Sequence, residues 1–505
     1  MSEFYMIRRG ETLAVPFQEG DTVLAALQRA GLRAVEAPCG GNGTCKKCRV
    51  TVNGVEALAC QTPAAQGARV AVPEQEQGAV IASDGVKTDF PLTPSEGLGA
   101  AVDIGTTTLV VHLYRLDTGE RLGTCSGVNA QRAYGADVIS RIQYANDQPD
   151  GLALLGDAVR GQIDDFLKRL CAQAGRGLDE LTVVTIAANT VMEHLYAGLS
   201  PRTIAVAPFT PLSYFGAWES GEKFGLPAHT RVYLTPAVAG YVGGDITAGI
   251  VASGAYRDEE PALFLDIGTN GEMALGCAQS GFLCCATAAG PAFEGAVISQ
   301  GMSAQNGAIG AVEWANGALK LTVLGGGEAE GICGSGLVDA LAVMLELGAV
   351  DETGRLLPPD EAPDAALPYL IEDDDGVRFC LTDAVAITEG DVRQLQLAKA
   401  AIAAGICTLL DEAGLTEDGV ARLYLAGGFG NYIRKESAAA IGLLPESMLD
   451  RVVPVGNSAG QGAAAVLLSR QALDVLNELP RRCNYIELSG HKGFNDHYID
   501  CMFFE

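Results

Sequence analysis

The stretch AAVDIGTTTLVVHLYRL, residues 100–116, returns later in the chain as LFLDIGTNGEMALG, residues 263–276. In each copy an apolar run ends in Asp-Ile-Gly-Thr and a second apolar run follows, which indicates a strand, a tight turn and a returning strand. Self-similarity of this kind indicates an internal duplication. An Asp at a strand end can hold hydrated magnesium, while turn amides and Thr hydroxyls contact phosphate oxygens. The repeat therefore predicts two facing hairpins that clamp one nucleotide.

This hypothesis assigns a role to each residue of the two turns. Asp103 and Asp266 are the predicted catalytic acids, which hold the metal. A plain strand-end turn is the alternative for either Asp alone, but the matched pair favours the nucleotide site. The predicted nucleotide contacts are Gly105, Thr106, Thr107 and Thr108 in the first turn, and Gly268, Thr269, Asn270 and Gly271 in the second.

A third glycine-rich element, LYLAGGFGNYI at residues 423–433, has the form of a strand followed by Gly-Gly-x-Gly. Such a turn allows an adenine and a ribose to pass close to the backbone. It adds Gly427, Gly428, Phe429 and Gly430 to the predicted nucleotide contacts. In this order, the three elements resemble the nucleotide-binding superfamily that contains actin, sugar kinases and the heat-shock chaperone ATPases. The resemblance implies a two-lobed α/β ATPase fold, with lobes at residues 98–260 and 261–505.

Three further stretches hold candidate site residues. In GGDITAGI, Asp245 at a helix start is either an N-cap or the acid that positions the attacking water. In AAGPAFEGA, Glu294 follows a Gly-Pro turn and is either a magnesium or water contact or part of a loop salt bridge. Both are counted as candidate catalytic residues. In GICGSGLVD, Gly334, Ser335 and Gly336 come just before a helical pattern, which suits an anion or nucleotide contact.

The first seventy residues predict a separate small unit. FYMIRR and TLAVPF alternate as strands do, DTVLAALQRAG is a capped helix that ends at Gly31, and CRVTVNGVEAL is a hairpin with an Asn-Gly turn. A cysteine-rich loop, APCGGNGTCKKCRV at residues 37–50, joins the helix to the hairpin. Residues 1–75 are therefore predicted to form one domain, and residues 76–97, which mix charges, prolines and glycines, are predicted to form a linker.

The loop supplies closely spaced thiols in the pattern Cys39-x5-Cys45-x2-Cys48-x11-Cys60. Its glycines let backbone amides approach sulfur closely enough to donate hydrogen bonds. Four thiolates suit a tetrahedral metal or an iron-sulfur cluster. Zinc is the alternative, although zinc sites usually pair two C-x2-4-C elements across a longer gap. The spacing resembles that of the 2Fe-2S ferredoxins of β-grasp fold, which implies a 2Fe-2S cluster held by these four cysteines.

Composition limits the range of partners. The 505 residues carry a net charge of −28, and a field of that sign repels phosphate backbones and anionic lipids, so nucleic acid and membranes are not expected as partners. The sequence shows neither a secretion signal nor a long apolar span, which predicts a cytoplasmic protein. Scattered Cys and His residues outside the loop are interpreted as packing, because their spacings match no zinc pattern. These residues include Cys284, Cys285, Cys333, Cys483, His491, His497 and Cys501.

Taken together, the motifs resemble those of the reductive activators of corrinoid-dependent enzymes. The shared features, in chain order, are the cysteine loop, VDIGTTT, FLDIGTNGE, AAGPAFEGA, GICGSGLVD and LAGGFGNYI. The resemblance implies an enzyme that uses ATP and a 2Fe-2S cluster to reduce an inactive Co(II) corrinoid protein to Co(I) for methyl transfer. It also implies Mg²⁺, a low-potential electron donor and a homodimer.

Two other functions stay open as alternatives. One is an ATP-dependent activator of a radical dehydratase or ring reductase, in which a 4Fe-4S cluster between subunits is expected rather than an N-terminal 2Fe-2S pattern. The other is a nucleotide-binding redox sensor, which needs no turnover. A metabolite kinase is a weaker alternative, because kinases of this superfamily do not need a ferredoxin.

Overall fold

A computed structural model of the chain describes residues 2–8, 11–30, 32, 35, 37, 41, 43, 48–73, 85, 87–374, 376–430 and 432–504. The N-terminal residues form a five-stranded sheet with one helix packed on it. These elements are β1 (Ser2–Arg8), β2 (Glu11–Phe17), α1 (Val23–Arg29), β3 (Arg49–Val52), β4 (Val55–Leu58) and β5 (Arg69–Ala71). The strand order is β2-β1-β5-β3-β4, with β1 parallel to β5. This is a β-grasp arrangement, which confirms the fold predicted for this region.

Local sequence signals account for these elements. Helix α1 begins after Thr22, whose hydroxyl accepts a hydrogen bond from the Ala25 amide at 3.1 Å. The predicted helix end at Gly31 lies outside the described residues. The turn between β3 and β4 has positive φ at both Asn53 and Gly54, 50° and 88°, which fits the predicted Asn-Gly hairpin. The apolar face of α1 is buried in the core of this small domain.

The rest of the chain is a larger α/β region. Its strands are β6 (Leu98–Ile104), β7 (Thr108–Arg115), β8 (Arg121–Val128), β9 (Leu181–Ala188), β10 (Trp218–Ser220), β11 (Arg231–Leu234), β12 (Ala262–Ile267), β13 (Gly271–Cys277), β14 (Gly281–Thr287), β15 (Ala308–Ala315), β16 (Ala318–Val323), β17 (Gly331–Ile332), β18 (Leu370–Asp373), β19 (Gly376–Cys380), β20 (Ala386–Thr388), β21 (Arg422–Ala426), β22 (Val452–Gly456) and β23 (Cys483–Tyr485). Its helices are α2 (Val138–Asp147), α3 (Gly151–Gln173), α4 (Thr190–Ala197), α5 (Gly244–Ser253), α6 (Gly334–Glu346), α7 (Glu389–Ala413), α8 (Gly427–Gly430), α9 (Lys435–Ala440), α10 (Ser458–Leu468), α11 (Arg470–Glu478) and α12 (Lys492–Asp500).

Two six-stranded sheets in this region share the topology of five of their strands, and the sixth strand, β10 or β23, lies at opposite edges of the two sheets. The first has the order β10-β11-β9-β6-β7-β8 and the second β22-β21-β12-β13-β14-β23. In each, three successive strands form an antiparallel meander, β6-β7-β8 and β12-β13-β14, and two parallel strands extend the sheet on the other side of its first strand. The duplication inferred from the Asp-Ile-Gly-Thr repeat is therefore present in the fold, because both copies link the first two strands of a meander.

Smaller elements complete the second half of the chain. Two three-stranded sheets have the orders β16-β15-β17 and β18-β19-β20. Cys284 and Cys285 on β14 are both fully buried, which confirms their interpretation as core residues. Among the described residues, no helix is long and apolar enough to span a bilayer.

The described residues divide into two compact units. The N-terminal sheet belongs to the same unit as Thr93–Thr235, whereas the described residues of Gly78–Leu92 and Pro236–Glu505 form the other. The structure thus divides after Thr235, earlier than the boundary at residue 260 that the sequence suggested. As a result, α5 and its Asp245 pack with the second six-stranded sheet.

Candidate nucleotide site and cysteine loop

The first Asp-Ile-Gly-Thr turn joins β6 to β7 and is held by two side chains from outside it. The Asn129 side-chain amide donates to the Gly105 carbonyl at 2.8 Å, and the Arg141 guanidinium donates to the Thr106 carbonyl at 2.5 Å. In a trans peptide the N–H points opposite to the C=O. The amides of Thr106 and Thr107 are therefore oriented away from these two side chains, as phosphate-binding amides must be.

A third side chain holds a hydroxyl of the same turn. The Asn189 side-chain amide donates to Thr106 Oγ1 at 3.1 Å. The Asn189 carbonyl oxygen also caps α4, where it accepts from the Met192 amide at 3.0 Å. The side chain therefore fixes the position of the turn relative to the strand-to-helix connection of the first sheet.

The second turn joins β12 to β13 and brings Glu294 into the site. The Thr269 hydroxyl donates to Glu294 Oε1 at 2.6 Å, and the Gly268 amide donates to the Asn270 carbonyl at 2.9 Å. Glu294 lies at the end of a short 3₁₀ helix, Pro291–Glu294, that follows the predicted Gly-Pro turn. Two stretches that are separate in the sequence therefore supply one cluster of oxygen atoms.

The Gly-Gly-x-Gly element packs directly on the second turn. Gly427 has a φ of +92°, and a Cβ added there would lie 2.6 Å from Asp266 Oδ1 and 2.6 Å from the Ile267 carbonyl. Only glycine satisfies both the backbone conformation and the close approach. Two residues on, the Phe429 ring stacks on Phe293, with centroids 4.7 Å apart. The predicted nucleotide contacts from these elements therefore converge around Asp266.

The start of α6 approaches the same region through its backbone. A Cβ added at Gly334 would lie 1.8 Å from the Phe293 carbonyl. The Ser335 hydroxyl donates to the Gly310 carbonyl at 2.8 Å, and a Cβ at Gly336 would meet the Ile309 carbonyl at 2.2 Å. These glycines allow close packing of the helix start, while the ligand contacts expected from Gly334, Ser335 and Gly336 stay a prediction.

Asp245 lies in the first turn of α5, but it is not the N-cap. The N-cap is Gly243, so Asp245 is the second helical residue and accepts a hydrogen bond from the Ile246 amide at 2.9 Å. The N-cap interpretation was therefore wrong. A carboxylate in the first helical turn interacts favourably with the helix dipole, and this one also lies close enough to Glu272 to affect its ionisation.

Glu272, which the sequence interpretation passed over, is the cross-strand partner of Asp266. Residues 266 and 272 are paired across β12 and β13, and Glu272 is 9% exposed. Burial, and then the charges of Asp245 and Asp266, raise the pKa of Glu272 well above its ordinary value. Burial also raises the pKa of Asp266 to about 6. The site therefore disfavours negative charge unless a cation is present.

These oxygen donors fit hydrated Mg²⁺. Magnesium prefers oxygen ligands, keeps several waters and is usually bound through one or two carboxylates together with substrate phosphates. Among the described residues, no three acidic, His or Cys side chains converge closely enough to form a complete metal site. The assignment of Asp266, Asp245 and Glu294 to a magnesium site stays a prediction.

Two of the four loop cysteines fall among the described residues, and their sulfurs converge. Cys48 Sγ and Cys60 Sγ are 3.2 Å apart, and Cys48 is 1% exposed in the core of the small domain. Within the loop, Gly41 and Gly43 have φ of 92° and 78°, a backbone conformation that favours glycine. Cys39 and Cys45 lie outside the described residues. The converging thiols fit the ligand set of an iron-sulfur cluster.

Three family descriptions match successive parts of the chain. The 2Fe-2S iron-sulfur cluster binding domain matches residues 7–65. The RACo middle region matches residues 98–258, and the C-terminal domain of RACo, the ASKHA domain, matches residues 260–505.

Known proteins are similar over most of the chain. The corrinoid activation enzyme RamQ of Eubacterium limosum is 35% identical over 413 residues, which cover 79% of this chain and 69% of that protein. The Co(II) methylated amine-specific corrinoid protein reductase of Methanosarcina barkeri is 25% identical, over 79% of this chain and 76% of that one. A solved reductive activator for corrinoid, iron-sulfur protein is 30% identical, with a TM-score of 0.73, and covers 100% of this chain and 98% of its own.

The chain belongs to the family of corrinoid reductive activators. This membership confirms the predicted fold class, a ferredoxin-type domain followed by a sugar-kinase-like ATPase fold. The 2Fe-2S domain match includes all four loop cysteines of the activator. Which side chains hold the cluster and the nucleotide stays a prediction.

The tail of the activator is accounted for by packing contacts. His497 Nε2 lies 2.7 Å from Asp411 Oδ2, and His491 Nε2 lies 3.1 Å from Glu412 Oε1, so α12 is fastened to the end of α7. The Cys501 thiol is hydrogen-bonded to Cys407 on α7. Cys483 likewise contacts Cys284 on the neighbouring strand of the second sheet. These contacts agree with the interpretation of the tail as structural.

Three site residues of the activator were missed because their roles arise from tertiary contacts. Asn129 follows β8, Arg141 lies within α2, and Asn189 follows β9. A signal was present in the sequence for Arg141 alone, since an arginine on the apolar face of VISRIQ is unusual when that face is buried. Arg141 is fully buried, and such a cation must have specific acceptors.

Proposed function

We propose that this chain uses ATP to drive reduction of a corrinoid protein from Co(II) to Co(I), and so restores a methyl-accepting cofactor that has been oxidised. One observation carries the proposal. A single chain of this family contains both a 2Fe-2S domain and a fold in which the Asp-Ile-Gly-Thr hairpin is duplicated. The similar proteins of known name are corrinoid activators or reductases. The proposed domains are residues 1–75 for electron transfer, 76–97 as a linker, and 98–260 and 261–505 as ATPase lobes.

In the proposed nucleotide site, each residue has a specific task. Turn amides and hydroxyls at Thr106, Thr107 and Thr269 bind phosphate oxygens, since the bonds from Asn129, Arg141 and Glu294 fix the turns that carry them. Asp103 and Asp266 would hold a hydrated Mg²⁺, which would neutralise phosphate charge when bound.

Asp245 and Glu294 are the candidates for positioning the attacking water. Glu272, next to Asp266, holds a proton while the site lacks a cation, because burial disfavours its charged form. With a cation held nearby, Glu272 would favour its charged form and would release its proton. Gly427 and Gly428 let the nucleotide approach the backbone after β21.

The N-terminal domain is proposed to hold a 2Fe-2S cluster through Cys39, Cys45, Cys48 and Cys60. A bound cluster supplies one-electron transfer at low potential. The chain's own contribution is to bring the thiolates together and to exclude water, as the burial of Cys48 and its 3.2 Å approach to Cys60 support.

Three further partners belong to this proposal: a corrinoid protein, a low-potential electron donor, and a second copy of this chain. The net charge of −28 is compatible with electrostatic docking to a partner with a basic patch. Partner contact and nucleotide occupancy are expected to bias the same conformational equilibrium.

ATP hydrolysis in the presence of candidate partners tests the proposal against the two alternatives. A corrinoid protein should stimulate hydrolysis and be reduced, whereas a radical dehydratase should do neither. A sensor would bind nucleotide without partner-stimulated turnover. Hydrolysis that responds to a dehydratase and ignores every corrinoid protein tested would contradict the proposal.

A further inference from the structure

Gln28, on the N-terminal helix α1, is buried outside the small domain's own core. It is 8% exposed, although the apolar residues that fill that core lie on other positions of the helix. Its side-chain amide donates to the backbone carbonyl of Ala133, which belongs to the 3₁₀ helix Ala130–Ala133 after β8. The neighbouring Arg29 lies within electrostatic reach of Tyr144 and Asp150. The small domain is thus docked through α1 onto residues 130–150 of the same compact unit.

The segment that contacts α1 also makes hydrogen bonds to the first Asp-Ile-Gly-Thr turn, between β6 and β7. Gln131 donates its amide to Asn129 Oδ1 at 2.9 Å, and Asn129 in turn donates to the Gly105 carbonyl at 2.8 Å. Arg141 donates both to Gln131 Oε1 at 3.3 Å and to the Thr106 carbonyl at 2.5 Å. Asn129, Gln131 and Arg141 are all fully buried. Hydrogen bonds in such a buried network polarise and constrain one another.

The start of α1 is hydrogen-bonded to the turn after β4, which contains Cys60. The Leu24 amide donates to the Ala59 carbonyl at 3.0 Å, and the Val23 amide donates to the Thr62 carbonyl at 2.8 Å. These two acceptors flank Cys60 in the sequence. Helix α1, the backbone of residues 129–133 and the hydrogen bonds at each end therefore connect the first Asp-Ile-Gly-Thr turn to the segment that contains Cys60, a predicted cluster ligand.

We propose that residues 129–141 couple nucleotide binding at the first turn to docking of the N-terminal domain through Gln28, and that bound nucleotide strengthens the docked state. When the Thr106 and Thr107 amides donate to phosphate, the Gly105 and Thr106 carbonyls of the same peptides become better acceptors for Asn129 and Arg141. The segment that presents Ala133 to Gln28 is then held more firmly. Loss of phosphate loosens the segment and releases the domain toward its electron-transfer partners. The inference rests on the proposed function in requiring that the first turn bind nucleotide.

Coupling of this kind is reciprocal: docking strengthens nucleotide binding by the same factor by which nucleotide strengthens docking, so a variant with a weakened docking contact must bind nucleotide less tightly. In the full-length protein, Gln28→Ala should raise the dissociation constant of a fluorescent Mg-ATP analogue by about two- to tenfold, the range expected for one hydrogen bond. Gln28→Glu keeps the size but removes the donor, and should weaken binding at least as much. The control is Gln18→Ala, an exposed glutamine of the same domain, which should bind as wild type does.

Hydrogen exchange of the same proteins supplies a readout at the docking contact itself. The analogue should slow amide exchange in peptides that span residues 23–30 and 130–147 of wild type, and should slow the first of these much less in the Gln28 variants. An unchanged absorption spectrum of the iron-sulfur domain shows that the variants are folded.

The possible outcomes separate the coupling from the function. If wild type binds nucleotide and reduces cobalt, but the Gln28 variants bind as wild type does or the 23–30 peptide ignores nucleotide, the coupling is wrong and the function stands. If wild type binds no nucleotide, both are wrong.

Discussion

At the scale of single residues, the two Asp-Ile-Gly-Thr hairpins are not equivalent. Asp103 is paired across its hairpin with Val110, whereas Asp266 is paired with Glu272. Two acidic side chains directly opposite each other are destabilising in an antiparallel pair. The raised pKa of Glu272 relieves this repulsion, and we therefore expect the proposed proton chemistry of the site to lie in this hairpin.

Asp266→Asn should stabilise the metal-free protein while it removes activity. A carboxyl group whose folded pKa of about 6 exceeds its unfolded value destabilises the fold above that pH and has no effect below about 4. The variant should therefore unfold at a higher temperature than wild type at pH 8, and the difference should shrink as the pH falls from 7 to 5.

The control for this stability measurement is Asp496→Asn on the exposed face of α12, which should give no stabilisation. ATP hydrolysis should fall at least about a hundredfold in Asp266→Asn and in Asp103→Asn, as expected when a group that positions the metal and phosphates is lost. Normal hydrolysis in both variants, with unchanged circular dichroism, would contradict the assignment of the turns.

From the raised pKa of Glu272 we predict that binding of Mg-nucleotide releases a proton. The raised pKa of Glu272 keeps it protonated in the metal-free site, and a nearby cation favours its charged form. Calorimetric binding enthalpies measured at pH 7 in two buffers of different ionisation enthalpy should therefore differ. Glu272→Gln cannot release this proton, so the buffer dependence should shrink. An equal buffer dependence in both proteins would show that the proton comes from elsewhere.

At the scale of elements, local sequence patterns predicted the individual strands, helices and turns, but they did not predict which elements contact one another. The hairpins, α1 and the glycine turn after β21 follow from alternation, capping and turn residues, which act over a few positions. The cap of α5 was mistaken because Gly243, with no side-chain oxygen, occupies the position where Ser, Thr, Asp or Asn usually supplies one. The side chains that hold the first turn depend on tertiary packing, which a single sequence does not specify.

Because α8 packs closely on the second turn, we predict that alanine substitutions at the adjacent Gly427 and Gly428 differ in their effect on stability. Gly427→Ala places a Cβ against Asp266 Oδ1 and the Ile267 carbonyl at a φ of +92°, so it should destabilise the fold by about 1–3 kcal/mol. At Gly428 an added Cβ has no neighbour within 4 Å, so Gly428→Ala is the matched control and should unfold near the wild-type midpoint. Urea denaturation of both variants measures the difference. Equal midpoints would mean that α8 does not pack on Asp266.

The cysteine loop predicts a 2Fe-2S cluster rather than zinc. The isolated protein should be red-brown and contain two irons and two sulfides per chain, as a single such cluster requires. Cys60→Ser should lose this content, because its sulfur converges with that of Cys48. Cys380→Ser, on β19 of a different sheet, is the control and should keep it. Zinc without iron, or an intact cluster spectrum in Cys60→Ser, would contradict the assignment.

At the scale of the whole molecule, one chain combines a ferredoxin-type domain with a nucleotide fold. The cost of an uphill electron transfer, compared with the free energy of a conformational change, gives a reason for this combination. Moving one electron uphill by 100 mV costs about 2.3 kcal/mol. Changing a two-state equilibrium from 1:99 to 99:1 takes about 5.5 kcal/mol of differential binding. A nucleotide-driven conformational cycle is therefore large enough to make an unfavourable electron transfer proceed.

The most direct test of this account is the cobalt absorption spectrum of a partner corrinoid protein, followed with an excess of low-potential reductant and with the activator already reduced. We predict conversion of Co(II) to Co(I) only when Mg-ATP is added. Asp103→Asn should abolish the conversion together with hydrolysis, whereas Cys39→Ser should hydrolyse ATP and leave the cobalt as Co(II). Equal cobalt reduction with and without ATP would contradict the central claim.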